Sequence, residues 1–176
     1  MNHIQLKLLG LCLLGSFLSS CQDLGEGDRG GGEWAIYRLA DLSLTSDQVR
    51  NVPLSDLSLA VVPFISVRDI RSYHWNTHEF ECTTEAASRI DSLARYGGSV
   101  RGVPFVVAVD RKPIYLGSFW WAYSSIMPWC PYMDITFPMG SVSRRIELPP
   151  LYQGDDPRSD RRIYTALKSA GVLTDE

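Results

Sequence analysis

Beyond its first twenty residues the 176-residue chain has no apolar run approaching the roughly 20 residues that a bilayer's hydrocarbon core requires. A membrane-spanning helix is therefore not expected. Basic residues are neither in excess nor gathered into a stripe: 17 Lys and Arg are interspersed with 20 Asp and Glu, which makes nucleic acid an unexpected partner. A phosphate-cradling loop is missing too, because the glycine-rich stretch GEGDRGGGE (residues 25–33) follows no strand and opens no helix. Nucleophile-elbow patterns and internal repeats are absent. No cofactor is expected on these grounds.

What is present begins at the amino terminus. Lys7 gives a short positive flank, residues 8–18 are almost wholly apolar, and Ser19 and Ser20 precede Cys21. Charge, apolar core and small residues in that order are the layout of a secretory signal peptide, too short to be a membrane-spanning segment. Leu18-Ser19-Ser20-Cys21 resembles the lipobox of bacterial lipoproteins. The resemblance implies that residues 1–20 are a signal peptide and that Cys21 is the lipid attachment site. Acyl chains would then hold the protein on its membrane, since several chains retain a protein where one gives only marginal binding. Gln22, in place of an aspartate, resembles the enterobacterial sorting pattern for the outer membrane, which implies a domain facing the periplasm.

Loss of residues 1–20 leaves 156 residues, and the departure of Lys7 takes the formal net charge from −3 to −4. Residues 21–33 carry little to bury and read as a flexible tether, with a single α+β domain from 34 to 176. Cys12 leaves with the signal peptide and Cys21 takes lipid, so two cysteines remain. Cys82 and Cys130 are a candidate disulfide in an oxidising compartment, and two separately buried thiols satisfy the sequence equally well.

Along the domain, residues 34–40 alternate as a strand, and residues 44–52 suit a helical turn before Pro53. In residues 72–82 a strand places His78, Phe80 and Cys82 on one face and Glu79 and Glu81 on the other. Thr83 and Thr84 offer an N-cap to an amphipathic helix carrying Ala86, Ala87, Ile90, Leu93 and Ala94, closed by Gly97 and Gly98. Residues 103–109 are apolar on both faces, and a turn over Asp110 to Pro113 leads into a second strand, which makes a hairpin. After a long loop and a short strand from Arg144, the final helix opens near Pro157, buries Ile163, Leu167 and Ala170, and exits at Gly171. The sum is an α+β domain with a mostly antiparallel sheet and a C-terminal helix.

The segment from Pro63 to Trp121, read as PFISVRDIRSY, HEFECTTEAASRI and GVPFVVAVDRKPIYLGSFW, resembles the head of the first periplasmic domain of SecD, the accessory protein of the bacterial Sec translocon. The resemblance implies a βαββ, ferredoxin-like half-fold used as a contact module. SecD's membrane-spanning segments have no counterpart, so proton-driven export is not implied. The layout as a whole is also similar to that of small bacterial lipoproteins without an assigned activity.

Candidate chemistry is thin. His74 and His78 have a spacing that places two imidazoles together on a helix, but on a strand it separates them by roughly 13 Å, so no metal site is expected. Cys130 lies between Pro128 and Pro131, in a loop without a catalytic signature. Glu79 with Glu81, and Asp155 with Asp156, read as a solvated strand face and a helix start. Aromatic density is the remaining feature. Phe119, Trp121, Tyr123, Trp129 and Tyr132 are the candidate contact surface, with core packing as the competing explanation. The expectation is a non-catalytic, lipid-anchored envelope protein that contacts another, unidentified envelope protein. The alternative is a periplasmic hydrolase or thiol enzyme using Cys130 or a histidine.

Overall fold

Seven consecutive buried residues, Val103–Val109, form strand β5, and the hairpin partner β6 runs Lys112–Trp120. The computed structural model describes residues 32–96, 99–136 and 140–175. The connection is a two-residue turn with Asp110 and Arg111 both at positive φ, 50° and 59°, the twist that suits a tight hairpin. Arginine is an unusual occupant of that conformation. Its guanidinium compensates by donating to Val61 O at 2.8 Å and lying 5.1 Å from the centre of the Tyr37 ring.

Around the hairpin a five-stranded sheet forms from β1 (Trp34–Arg38), β2 (Ile65–Ser66) and β7 (Tyr132–Asp134), in the order β2-β1-β5-β6-β7. All pairs are antiparallel except β6 with β7, which run parallel. A second, wholly antiparallel sheet orders β3 (Ile70–His74), β4 (Glu79–Cys82) and β8 (Ser143–Arg145). The helices are α1 (Thr84–Tyr96) and α2 (Arg161–Ser169). The α+β class, the mostly antiparallel pairing and the C-terminal helix are as the sequence predicts.

Two details differ from the sequence reading. The strand expected over residues 72–82 is a hairpin, β3 and β4 joined by a turn at 75–78, in which His78 takes a positive φ of 52°. Strand, helix and hairpin do follow one another as β4-α1-β5-β6, but β4 pairs in the second sheet. The segment therefore spans two sheets instead of closing a ferredoxin-like half-fold in one.

The sheets share a core because the pleat divides β5 cleanly. Val103, Phe105, Val107 and Val109 face the large cluster with Trp34, Ile36, Phe119 and Trp121. Trp34 meets Tyr73 and Phe80 of the second sheet edge to face, with ring centres 6.3 and 6.4 Å apart. Helix α1 opens with Thr83 Oγ1 accepting from Ala86 N at 3.2 Å, and buries Ala86, Ala87, Ile90 and Leu93. Helix α2 opens with Asp160 Oδ1 accepting from Arg162 N at 2.8 Å and turns Ile163, Ala166 and Leu167 inward, beside β1 and β5. Beyond it, Tyr73 N donates to Val172 O at 2.7 Å and Thr174 N to Tyr73 O at 3.1 Å, which docks the segment after α2 on β3.

The opposite face of the hairpin, with Val106 and Leu116, is covered by Leu39, Leu44, Val49, Leu54 and Leu57 from the irregular segment after β1. A buried bond between Ser46 Oγ and Ser118 Oγ at 2.6 Å ties that cover down. One glycine is fixed by space. A Cβ at Gly117 would run into the Phe105 ring and come within 2.9 Å of Pro131 O, the acceptor of Ser118 N at 2.9 Å, so a side chain there would push on both β5 and the entry to β7.

Candidate functional site

The five aromatics proposed from sequence as one contact surface divide by strand geometry. Phe119 and Trp121 are 0% and 2% exposed and belong to the core, which corrects their assignment as contact residues. They lie on the β6 face turned toward the second sheet, and the Trp121 indole N–H donates to Ala94 O of α1 at 3.3 Å. Tyr123 is 67% exposed in the loop after β6. Tyr132 is half-buried in β7, and its hydroxyl donates to Glu147 Oε2 at 3.0 Å. Burial, helped by that carboxylate, pushes the phenol up to about 12.

Trp129 forms part of a wall. Its ring is half-buried, and the exposed Arg50 guanidinium lies 5.3 Å from the ring centre, inside cation–π range. The indole N–H is buried and has no acceptor among the described residues, a state that leaves about 1 to 3 kcal/mol of hydrogen bonding unmade. Around it opens a cleft of about 490 Å³, walled by Arg50, Met127, Pro128, Trp129, Leu151 and Tyr152. Met127 is 66% and Leu151 88% exposed at its edge. Prolines 128, 131 and 149 restrict the two loops that build it, so little backbone freedom remains to be lost on contact. Sequence reasoning found Trp129 but missed Arg50, Leu151 and Tyr152. An apolar residue within the proline- and glycine-flanked stretch PPLYQG is the local signal that could have pointed to the opposite wall.

Beside this cleft sits Cys130, 3% exposed, with its thiol pushed up to about 12 by burial. At neutral pH it keeps its proton and is a poor nucleophile. Cys82 is fully buried in the second sheet, its thiol raised by burial and donating to Val142 O at 3.1 Å. Both are free thiols, so the candidate disulfide is not formed.

The histidines part company. His78 is 4% exposed, and its Nδ1 is hydrogen-bonded with Tyr73 Oη at 3.2 Å while Nε2 lies 3.6 Å from Asp156 Oδ2. Burial, and next the Arg158 charge, depress it to about 4, against the pull of Asp156. Arg158 binds Asp156 through Nη2 at 2.7 Å and Nε at 2.9 Å, and donates from Nη1 to Ile146 O at 2.6 Å. The network joins the second sheet to the segment leading into α2 and has no opening at Tyr73, which is 1% exposed. His74 is exposed, with Nδ1 2.9 Å from Thr174 Oγ1, and neither residue lines the cleft at Trp129. Among the described residues no group of three His, Cys, Asp or Glu is placed to hold a metal ion.

A smaller polar cleft of about 220 Å³ is lined by Glu79, Asp134, Ser143, Arg144, Arg145 and Glu147. Its charges answer one another: Arg145 pairs with Glu79 at 2.7 Å, and Arg144 with Asp91 of α1 at 3.0 Å. The floor is a cross-link between sheet and helix. Cys21 and most of the tether lie outside the described residues, and among those described no helix is long and apolar enough to cross a membrane. No family, characterised protein or solved structure matches the chain.

Proposed function

We propose that the protein is a non-catalytic lipoprotein, anchored through acyl chains on Cys21, whose domain uses the Trp129 cleft to contact another envelope protein. The cleft carries this reading: a half-buried tryptophan with an unmade hydrogen bond, stiff proline-bearing loops, and Met127 and Leu151 held out at the edge. Aromatic anchors in such settings dominate contact energies. A resting thiol at Cys130 and a histidine buried and hydrogen-bonded with Tyr73 support the contact role over a thiol enzyme or hydrolase.

Two readouts test the proposal. Cys21→Ala is expected to move the protein from the detergent-requiring fraction to the soluble one, and wild-type protein that is soluble without detergent would refute the anchor. A photoreactive side chain at Met127 is expected to give one discrete protein adduct in the native envelope, lost in Trp129→Ala. Adducts unchanged by that substitution would remove the cleft from the contact.

A further inference from the structure

The chain enters the described fold at a fixed point. Glu33 N donates to Asp110 Oδ1 at 2.8 Å and Asp110 N to Glu33 O at 3.0 Å, which pins the start of β1 to the hairpin turn. Gly32, one residue earlier, lines two neighbouring clefts. One, of about 380 Å³, also has Lys112, Arg161 and Arg162 in its wall; the other, of about 230 Å³, has Arg68. All four cations are exposed. Arg162 is tied to Asp160 at 2.8 Å, whereas Arg68, Lys112 and Arg161 have no ion pair among the described residues. Of the anions in the two linings, Asp110 has an oxygen committed to the Glu33 N–H, and Glu33 is the other.

The consequence of this arrangement rests on the reading of Cys21 as acylated. Eleven residue steps separate Cys21 from Gly32, a reach of at most about 40 Å. That is about the diameter of a domain of this size, whose radius of gyration is about 14 Å. The surface around Gly32 thus stays within that reach of the headgroups however the domain turns, while the far side of the fold does not. We propose that this face, with Arg68, Lys112, Arg161 and Arg162, rests on an anionic phospholipid layer through the lipid phosphates and sets the orientation of the anchored domain. Each cation within a Debye length of an anionic surface raises its occupancy about fivefold, so three unpaired arginine and lysine side chains are enough to select one face. The overall charge of −4 left after loss of residues 1–20 does not oppose this, because screening confines the interaction to the nearest face.

The test uses the full acylated chain in phosphatidylcholine vesicles with and without phosphatidylglycerol. A donor fluorophore on Thr165→Cys, in the wall of the larger cleft, reports energy transfer to headgroup-borne acceptors; Cys82 and Cys130 are buried and leave the label selective. Transfer is expected to rise about twofold with phosphatidylglycerol, and to return to the phosphatidylcholine value at high salt or in Lys112→Glu/Arg161→Glu. Equal transfer in both lipids would overturn the proposal. A charge-reversal effect of equal size in both lipids would overturn it as well, assigning the cations to the tether carboxylates Asp23, Glu26 and Asp28. Flotation is read separately: a chain that floats with neither vesicle would refute the lipid anchor and this orientation with it.

Discussion

Trp121 and Trp129 are eight residues apart in one aromatic stretch, yet one closes the core and the other walls a cleft. Trp121 leaves β6 on the face turned to the second sheet, where α1 supplies both packing and an acceptor for its N–H. Trp129 lies in the loop before β7, between prolines, with a surface arginine over its ring and no acceptor for its N–H among the described residues. The same residue type therefore contributes to stability in one place and, on the proposed reading, to recognition in the other. What decides is whether a strand or a loop presents it, and whether its polar tip finds a partner.

The core side of this comparison should break first at Val107→Asp. Val107 is fully buried between Ile36 and Tyr115 on the neighbouring strands, and an unpaired carboxylate there costs several kcal/mol. Urea titration is expected to show the variant largely unfolded, and a near-native midpoint would mean the hairpin is not the centre of the fold. Next, Trp121→Ala is expected to lower stability by about 3 to 5 kcal/mol, as for other large buried side chains. A loss under about 1 kcal/mol would place Trp121 with the surface aromatics.

The pH dependence of stability sharpens the comparison from the second sheet. His78 is held near 4 in the fold and titrates near its ordinary value of about 6.5 when unfolded, so unfolding takes up a proton between those values. Its contribution is complete above about pH 6.5 and is lost as pH falls toward 4, by up to about 3 kcal/mol. His78→Asn, a residue tolerant of the positive φ, is expected to flatten that slope, and an unchanged slope would show that other groups carry it. The smallest effect is expected at Trp129→Ala, about 1 kcal/mol or less, because a half-buried ring and one cation–π contact are exchanged for relief of an unpaired N–H. A drop in melting midpoint as large as that of Trp121→Ala would move Trp129 into the core and end its role as a contact anchor.

Local patterns carried much of the fold. Thr83 with the periodic alanines and Ile90 marked α1, and the doubly apolar run of β5 marked the central hairpin. Tyr115, Phe119 and Trp121, two or four residues apart along β6 and its end, fall together in the core cluster, as the period of a strand requires. The failures are non-local. The apolar phase of residues 72–82 shifts from Tyr73 and Trp75 to Phe80 and Cys82, and the turn at 75–78 falls at that shift, where no glycine signals the left-handed backbone that His78 adopts. The second strand partner of β4, beside β3, is β8, more than sixty residues later, and no local pattern marks that pairing. Cys82 and Cys130 illustrate the same limit: sequence counted two thiols, and topology put one in the second sheet and the other in a loop of the first. The Trp129 cleft was half legible, since Arg50, Leu151 and Tyr152 approach it from separate stretches of chain.

Gly117 links the two sides mechanically. The space it leaves empty is bounded on one side by the Phe105 ring and on the other by the Pro131 carbonyl, two residues beyond Trp129. Interior packing and the position of the surface loop thus share one boundary, as two ends of a lever share a fulcrum. A methyl group added at Gly117 would have nowhere to go except against β5 or against the base of the loop, and the softer of the two is the loop. Variation deep in the hairpin would be read at the surface as a displaced tryptophan, so the cleft can be retuned without changing any residue that lines it.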